Sequence, residues 1–168
     1  MIFVTVGTHE QPFNRLVKCI DELKHKNVIK EEVIIQTGYS TYEPKYCKWS
    51  NLFTYQDMVK YVDEARIVVT HGGPSSFIMA LQIGKIPIVV PRQKKFNEHV
   101  NDHQVEFAKA VEMRQGNIIV VDDIHQLKHL IVDYDSVVSV MPAEMKSNNE
   151  KFNRSFERIV NRMFMEKK

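Results

Sequence analysis

Short β-branched runs alternate with longer stretches of helical period along this chain. Ile2 to Val6 is apolar at almost every position and predicts a buried strand. Gly7-Thr8-His9-Glu10-Gln11 follows as a tight loop. Pro12 suits the first turn of a helix, where its missing N–H costs nothing, and Phe13, Leu16, Val17, Ile20 and Leu23 recur at helical spacing. Val33 to Gln36 predicts a second strand, closed by Thr37-Gly38. Residues 39–50 mix turn formers with aromatics and predict no order. Leu52-Phe53-Thr54 predicts a short third strand, and Gln56 to Ala65 a helix with Met58, Val59 and Val62 on one face. Ile67 to Thr70 predicts the fourth strand, running into His71-Gly72-Gly73. Pro74-Ser75-Ser76 reads as a helix start and Gly84 as its stop. Ile88 to Val90 is a fifth strand, Val100 to Val111 a helix and Ile118 to Val121 a sixth strand; helices follow at Ile124–Val132 and about Asn149–Met165.

Strands alternating with helices imply right-handed βαβ units and an α/β, Rossmann-like parallel sheet of about six strands with helices on both faces. The continuous apolar strands agree, because parallel strands are buried on both sides. In such a sheet ligands sit at the carboxyl ends of the strands. The loops to watch are therefore 7–11, 36–40, 54–57, 71–76 and 91–99, and the glycine and polar residues concentrate there.

Composition narrows the classes. The 168 residues suit about one domain, with 43% hydrophobic and 26% charged residues, as in ordinary globular chains. Lys and Arg number 23 against 21 Asp and Glu, a net +2, which gives no reason to expect a nucleic-acid partner. Cys19 and Cys47 have no metal spacing and read as reduced thiols. No run approaches the ~18 apolar residues of a membrane span. The N-terminus lacks the basic region of a signal peptide, and Met1 leads directly into a core strand, so nothing is expected in front of it.

Gly72-Gly73-Pro74-Ser75-Ser76, between a strand and a helix, suits phosphate: the glycines admit a ligand to the backbone, and the helix start offers N–H groups and a positive dipole end. The same residues also fit a tight turn with a serine cap. Gly7-Thr8 repeats the arrangement more weakly. Neither is a Walker A loop or G-x-G-x-x-G. His99 and His103 lie four apart and would share one helix face, but Val100 stands where the zincin pattern needs Glu. Metal binding, a solvated helix start and hydrogen bonding to sugar hydroxyls by Asp102, His103 and Gln104 all remain open for this run. His71 at a strand end is structural or functional with equal weight, and no Ser-His-Asp or Cys-His set is assignable. The tail alternates Phe152, Phe156, Ile159, Val160, Met163 and Phe164 with basic residues; from 144 to 168 it holds seven basic and four acidic side chains. It would pack on its own sheet, dock a partner, or lie on an anionic membrane surface.

Val4-Thr5-Val6-Gly7-Thr8, Tyr55-Gln56-Asp57-Met58, Thr70-His71-Gly72-Gly73 and Asp102-His103-Gln104, in this order, resemble the nucleotide-sugar-binding half of the GT-B glycosyltransferases. More closely, the chain resembles the split members of glycosyltransferase family 28. These include soluble subunits of bacterial capsule and exopolysaccharide synthesis and of dolichol-linked N-acetylglucosaminyl transfer. The resemblance covers nearly all of residues 1–165, and the run from His71 to Gln104 is most similar to the bacterial subunits.

That resemblance implies residues 1–148 as the donor-binding domain, equivalent to the C-terminal half of a GT-B enzyme, and residues 149–168 as an amphipathic helix that packs on it or docks a partner. It implies a UDP-sugar, with Gly72, Gly73, Ser75 and Ser76 at the diphosphate. Tyr55 would sit at the uracil, with Met58 nearby, and Asp102, His103 and Gln104 at the hexose. Gly7, Thr8, His9 and Gly38 would line the cleft, beside His71. Many relatives hold the ribose with an acidic residue eight positions after the His-Gly-Gly histidine; here that position is Met79. The implied reaction is an inverting hexose transfer to a lipid-linked saccharide, with no metal and no cofactor. His9 and Glu98 are the local candidates for the general base, unless the partner provides it. A GT-B enzyme needs two such domains, so the resemblance implies a membrane-anchored, acceptor-binding partner that recruits a cytoplasmic chain to the inner face of the membrane. The rivals are a non-catalytic nucleotide-binding regulatory subunit and a metal-dependent hydrolase using His99 and His103.

Overall fold

A computed structural model describes residues 1–141 and 149–165. Six strands form one sheet: β1 (Ile2–Thr5), β2 (Val33–Gln36), β3 (Lys48–Ser50), β4 (Ile67–His71), β5 (Ile88–Val90) and β6 (Ile119–Val120). All pairings are parallel and the order is β3-β2-β1-β4-β5-β6. Between them run α1 (Asn14–His25), α2 (Tyr55–Glu64), α3 (Pro74–Gln82) and α4 (His103–Gln115), followed by α5 (Leu127–Val132), α6 (Tyr134–Ser139) and α7 (Asn149–Met165).

The strands alternate sides, as a pleat requires. Ile2, Val4, Ile35 and Val69 face α1, α5 and α6 in the larger core. Phe3, Ile34 and Val68 face α2 and α3 on the other side, and Val89 meets Phe77 and Leu81 of α3 and Ala108 of α4. Strand order reverses between β1 and β4, because the chain returns from the β3 edge to the middle before building outward again. In a doubly wound sheet that reversal opens a crevice beyond the carboxyl ends of the two strands.

Three expectations need correction. The third strand is Lys48–Ser50, not Leu52–Thr54; Phe53 is apolar because it packs on Phe3 and Tyr61, with ring centroids 6.3 and 5.0 Å apart. The first helix starts at Asn14; Phe13 caps it with a non-helical backbone, φ −120° and ψ 50°, and its N–H donates to Ser40 Oγ (3.1 Å). The fourth helix starts at His103, so His99 lies in the preceding loop and shares no helix face with it. An additional helix, α6, forms where none was predicted. The tail helix spans the expected residues, with Phe156 and Ile159 exposed. Among the described residues no helix is long and apolar enough to cross a membrane.

Candidate functional site

Three strand ends meet at the crevice. At the end of β1, Thr5 Oγ1 accepts the Gly7 N–H (3.2 Å), and Gly7 takes φ +74°, a left-handed conformation that suits glycine. Gly38 follows β2 at φ +53°; a Cβ there would lie 2.5 Å from the Gly7 carbonyl oxygen. Gly38 therefore acts by letting the two turns nest. At the end of β4 stands His71, only 8% exposed. Its ring edge lies against both Gly7 and Gly73. A Cβ on Gly7 would come within 2.6 Å of His71 Nε2, and one on Gly73 within 2.9 Å of Cδ2 and nearer still to Nε2. The glycines thus make room for an imidazole as well as for a ligand.

Gln104 ties β4 to β5. Its Oε1 accepts the N–H of Gly72 (3.1 Å) and of Arg92 (3.2 Å), so two backbone donors fix which end of the amide is oxygen. A Cβ on Gly72 would lie 2.8 Å from Gln104 Cβ, hence the second glycine.

Arg92, fully buried, is the residue the sequence reading missed. Its guanidinium donates to the carbonyls of Gln11 (2.6 Å), Glu98 (3.1 Å) and Val6 (2.9 Å), and its Cζ lies 4.8 Å over the Phe13 ring. It pins the loop after β1 to the loop after β5. Burial pushes its pKa down to about 10, against the pull of Glu98, so the charge is kept at neutral pH. The only sequence signal was an arginine directly behind Pro91 at a strand end.

Glu98 is also buried, and it is committed. Arg15 Nε and Nη2 reach its two oxygens, each at 2.8 Å, and Gln93 N–H donates to it at 3.1 Å. Arg15 is thus a second unforeseen member, holding Pro91 O at 3.1 Å as well. His9 is half-buried, and its Nδ1 accepts the Gln11 N–H (3.2 Å). Its pKa is lowered by burial first, then by Arg92 and His99, with Glu10 opposing. The His99 ring packs on it, centroids 4.7 Å apart.

The remaining candidates lie on the rim or apart. Thr8 is exposed, and so is Ser75 at the start of α3; Ser76 is half-buried and its N–H turns back to Gly73 O (3.1 Å). Asp102 is exposed and accepts the Lys94 N–H (2.8 Å), while His103 N–H donates to Asn101 Oδ1 (3.2 Å). Tyr55, 74% exposed, belongs to a different place. With Met79, Val59, Gln82 and Ile83 it lines a cavity of about 360 Å³ between α2 and α3. Among the described residues no three His, Cys, Asp or Glu side chains are grouped to hold a metal.

His71 gives the site a pH signature. Burial, then the Arg92 charge, holds its pKa down at about 4, with the Thr5 backbone opposing and His9 and His99 adding to the depression. The folded state therefore keeps His71 neutral while the unfolded chain protonates near pH 6.5. Stability from this residue is complete above that value and drains away as pH falls toward 4. We expect it to cost about 2 kcal/mol between pH 7 and pH 5. Urea denaturation of wild type and His71→Asn at both pH values checks this: the pH-dependent loss should shrink by that amount in the variant. Equal losses would place the ring's protonation elsewhere.

The glycosyltransferase family 28 C-terminal domain matches residues 1–163. The UDP-N-acetylglucosamine transferase subunit ALG13 of Homo sapiens is 31% identical over 126 residues, which cover 70% of this chain and 10% of that protein. The ALG13 subunit of Yarrowia lipolytica is 25% identical over 163 residues, 86% of this chain and 71% of that one. The chain spans about a tenth of the human relative's length. Among solved structures, the glycotransferase of kitacinnamycin superposes with a TM-score of 0.59 at 19% identity, over 83% of this chain and 35% of that chain, which shows a shared fold.

Proposed function

The chain belongs to the glycosyltransferase family 28 C-terminal domain family, and from that premise we propose that it is the donor-binding half of a split UDP-sugar transferase. The observation that carries this reading is the meeting of Gly7, His71, Gly72, Gly73 and Gln104 at the reversal point of the sheet. That is where an open α/β sheet takes its ligand. The diphosphate sits against the Gly72-Gly73 turn and the first turn of α3. Pro74 contributes no amide there and Ser76 N–H is used internally, so the Ser75 amide and hydroxyl and the helix dipole remain for the anion. The buried Arg92 charge stands behind them. Together they stabilise the departing diphosphate, the part a divalent cation would otherwise play. The nucleoside lies toward the α2–α3 cavity, where Tyr55 and Met79 offer apolar surface and Gln82 an amide.

Transfer with inversion needs a base for the acceptor hydroxyl. Glu98 is saturated by Arg15 and Gln93, and the Nδ1 lone pair of His9 is taken by Gln11. The base therefore arrives with the acceptor, on a membrane-anchored partner that also supplies the lipid-linked saccharide and recruits this chain to the cytoplasmic face. The exposed Phe156 and Ile159 of α7 suit that docking. A purely regulatory nucleotide-binding role, activating a catalytic partner, is the rival, and turnover of the assembled complex carrying Gln104→Ala separates the two: unchanged turnover at saturating donor would count against direct donor handling by this chain. The relatives' names make UDP-N-acetylglucosamine the first donor to try. A surface-polysaccharide acceptor is the reading we put forward from the sequence resemblance of the run from His71 to Gln104, beside the N-acetylglucosamine transferase role that the relatives' names carry.

Calorimetric titration with UDP, with and without EDTA, tests the donor site. The expected result is one site per chain with an affinity unchanged by the chelator. Binding lost with EDTA would overturn the metal-free site, and no binding at all would overturn the donor-site reading.

A further inference from the structure

His9 and His99 come from loops on opposite sides of the crevice, after β1 and after β5, and their rings meet tilted by 49°, with centroids 4.7 Å apart. Each ring is held in the same way. His9 Nδ1 accepts the N–H of Gln11 at 3.2 Å, and His99 Nδ1 accepts the N–H of Asn101 at 3.4 Å. A neutral imidazole whose Nδ1 accepts carries its proton on Nε2. Burial, and then the Arg92 charge, lower the His9 pKa, which agrees with a ring whose Nδ1 accepts. Among the described residues neither Nε2–H has a hydrogen-bond partner.

The surroundings favour an anion. Arg92 and Arg15 supply two guanidinium charges against the one buried carboxylate of Glu98, which Arg15 occupies on both oxygens. Arg92 and His99 act on His9 electrostatically, with Glu10 of its own loop as the one carboxylate opposing them. His71, whose buried Nδ1 has no hydrogen-bond partner, lies within electrostatic reach of both rings.

We propose that the paired His9 and His99 form a two-donor site for diphosphate oxygens, acting through their Nε2–H groups while Arg92 supplies the charge. The proposal rests on the donor-site reading above and adds to it a clamp opposite the Gly72-Gly73 turn.

The two nitrogens can be tested separately. Asn replaces the Nδ1 acceptor and drops the Nε2 donor; Gln offers a donor near the Nε2 position and drops the Nδ1 acceptor. UDP and inorganic pyrophosphate are titrated calorimetrically against wild type, His9→Asn, His9→Gln, His99→Asn and His99→Gln. A donor to a charged oxygen is worth about tenfold or more in affinity. We expect each Asn variant to lose about that much for both probes, and each Gln variant to lose less than its Asn counterpart. The reverse order would make the rings loop pins only and overturn the clamp, leaving the donor site standing. Nitrogen NMR of the wild-type histidines provides a readout independent of folding in the variants: both rings in the Nε2–H form, with both Nε2 signals moving on addition of UDP. Unmoved signals beside measurable UDP binding overturn the clamp alone, and wild-type chain that binds neither probe overturns the donor site and the clamp together.

Discussion

Replacing Arg92 with methionine is expected to destabilise the fold by about 3–5 kcal/mol, as buried carbonyl oxygens are left without their donor. Methionine keeps much of the apolar stem, so the loss isolates the guanidinium. Three carbonyl oxygens, those of Val6, Gln11 and Glu98, lose their donor at once. Two of these contacts are buried, where an unsatisfied acceptor costs about 1–3 kcal/mol each. Relief from burying a charge offsets part of this, because burial already holds the Arg92 pKa down. Loss of the contact with the Phe13 ring adds to it. Urea denaturation at neutral pH measures the difference; a change below about 1 kcal/mol would mean that the loops after β1 and β5 hold each other without this residue. The same substitution should weaken UDP binding in whatever protein still folds, since the guanidinium fixes the loops carrying His9 and His99.

Gly7→Ala is expected to cost about 3 kcal/mol and to abolish UDP binding. Two separable effects contribute. A left-handed φ of +74° strains alanine by about 1–2 kcal/mol, and overpacking against the His71 ring adds about 1–3 kcal/mol. The ring cannot step aside, because Gly73 bounds it as well. Gly73 has an ordinary φ of −75°, so Gly73→Ala carries the steric part alone. Pairing each alanine with His71→Ser in a double-mutant cycle separates the two contributions. Shortening His71 should restore most of the stability lost by Gly73→Ala and only part of that lost by Gly7→Ala. Equal rescue of both would show that the backbone conformation at Gly7 is not a source of strain.

Much of this architecture is legible in local pattern. Ile2 to Thr5, Val33 to Gln36, Ile67 to Val69 and Ile88 to Val90 are apolar at nearly every position because each is covered on both faces. The failure at β3 has the same cause in reverse. An edge strand whose Lys48 and Trp49 are exposed carries no apolar run, whereas Leu52 to Thr54 looks like a strand only because Phe53 fills a gap between Phe3 and Tyr61. The start of α4 was missed for a related reason: Ala108 is its only fully buried residue, so no periodic stripe marks where it begins.

The site divides along the same line. Glycines and histidines at strand ends point to the crevice from sequence alone, because a sheet of βαβ units must deliver its loops to one edge. That Gly7 and Gly73 accommodate His71, that Glu98 belongs to Arg15, that Arg92 lies wholly inside and that His9 meets His99 are decided by strand order. Apart from the local contact of Gly73 with His71, these contacts join segments distant in the chain. Hydrophobic periodicity records only whether a residue is covered, and the partner that covers it is chosen when β1 comes to lie between β2 and β4. The sequence by itself determined the fold class and the edge of the sheet that binds; the tertiary structure alone decided which polar groups remain free there to meet a ligand.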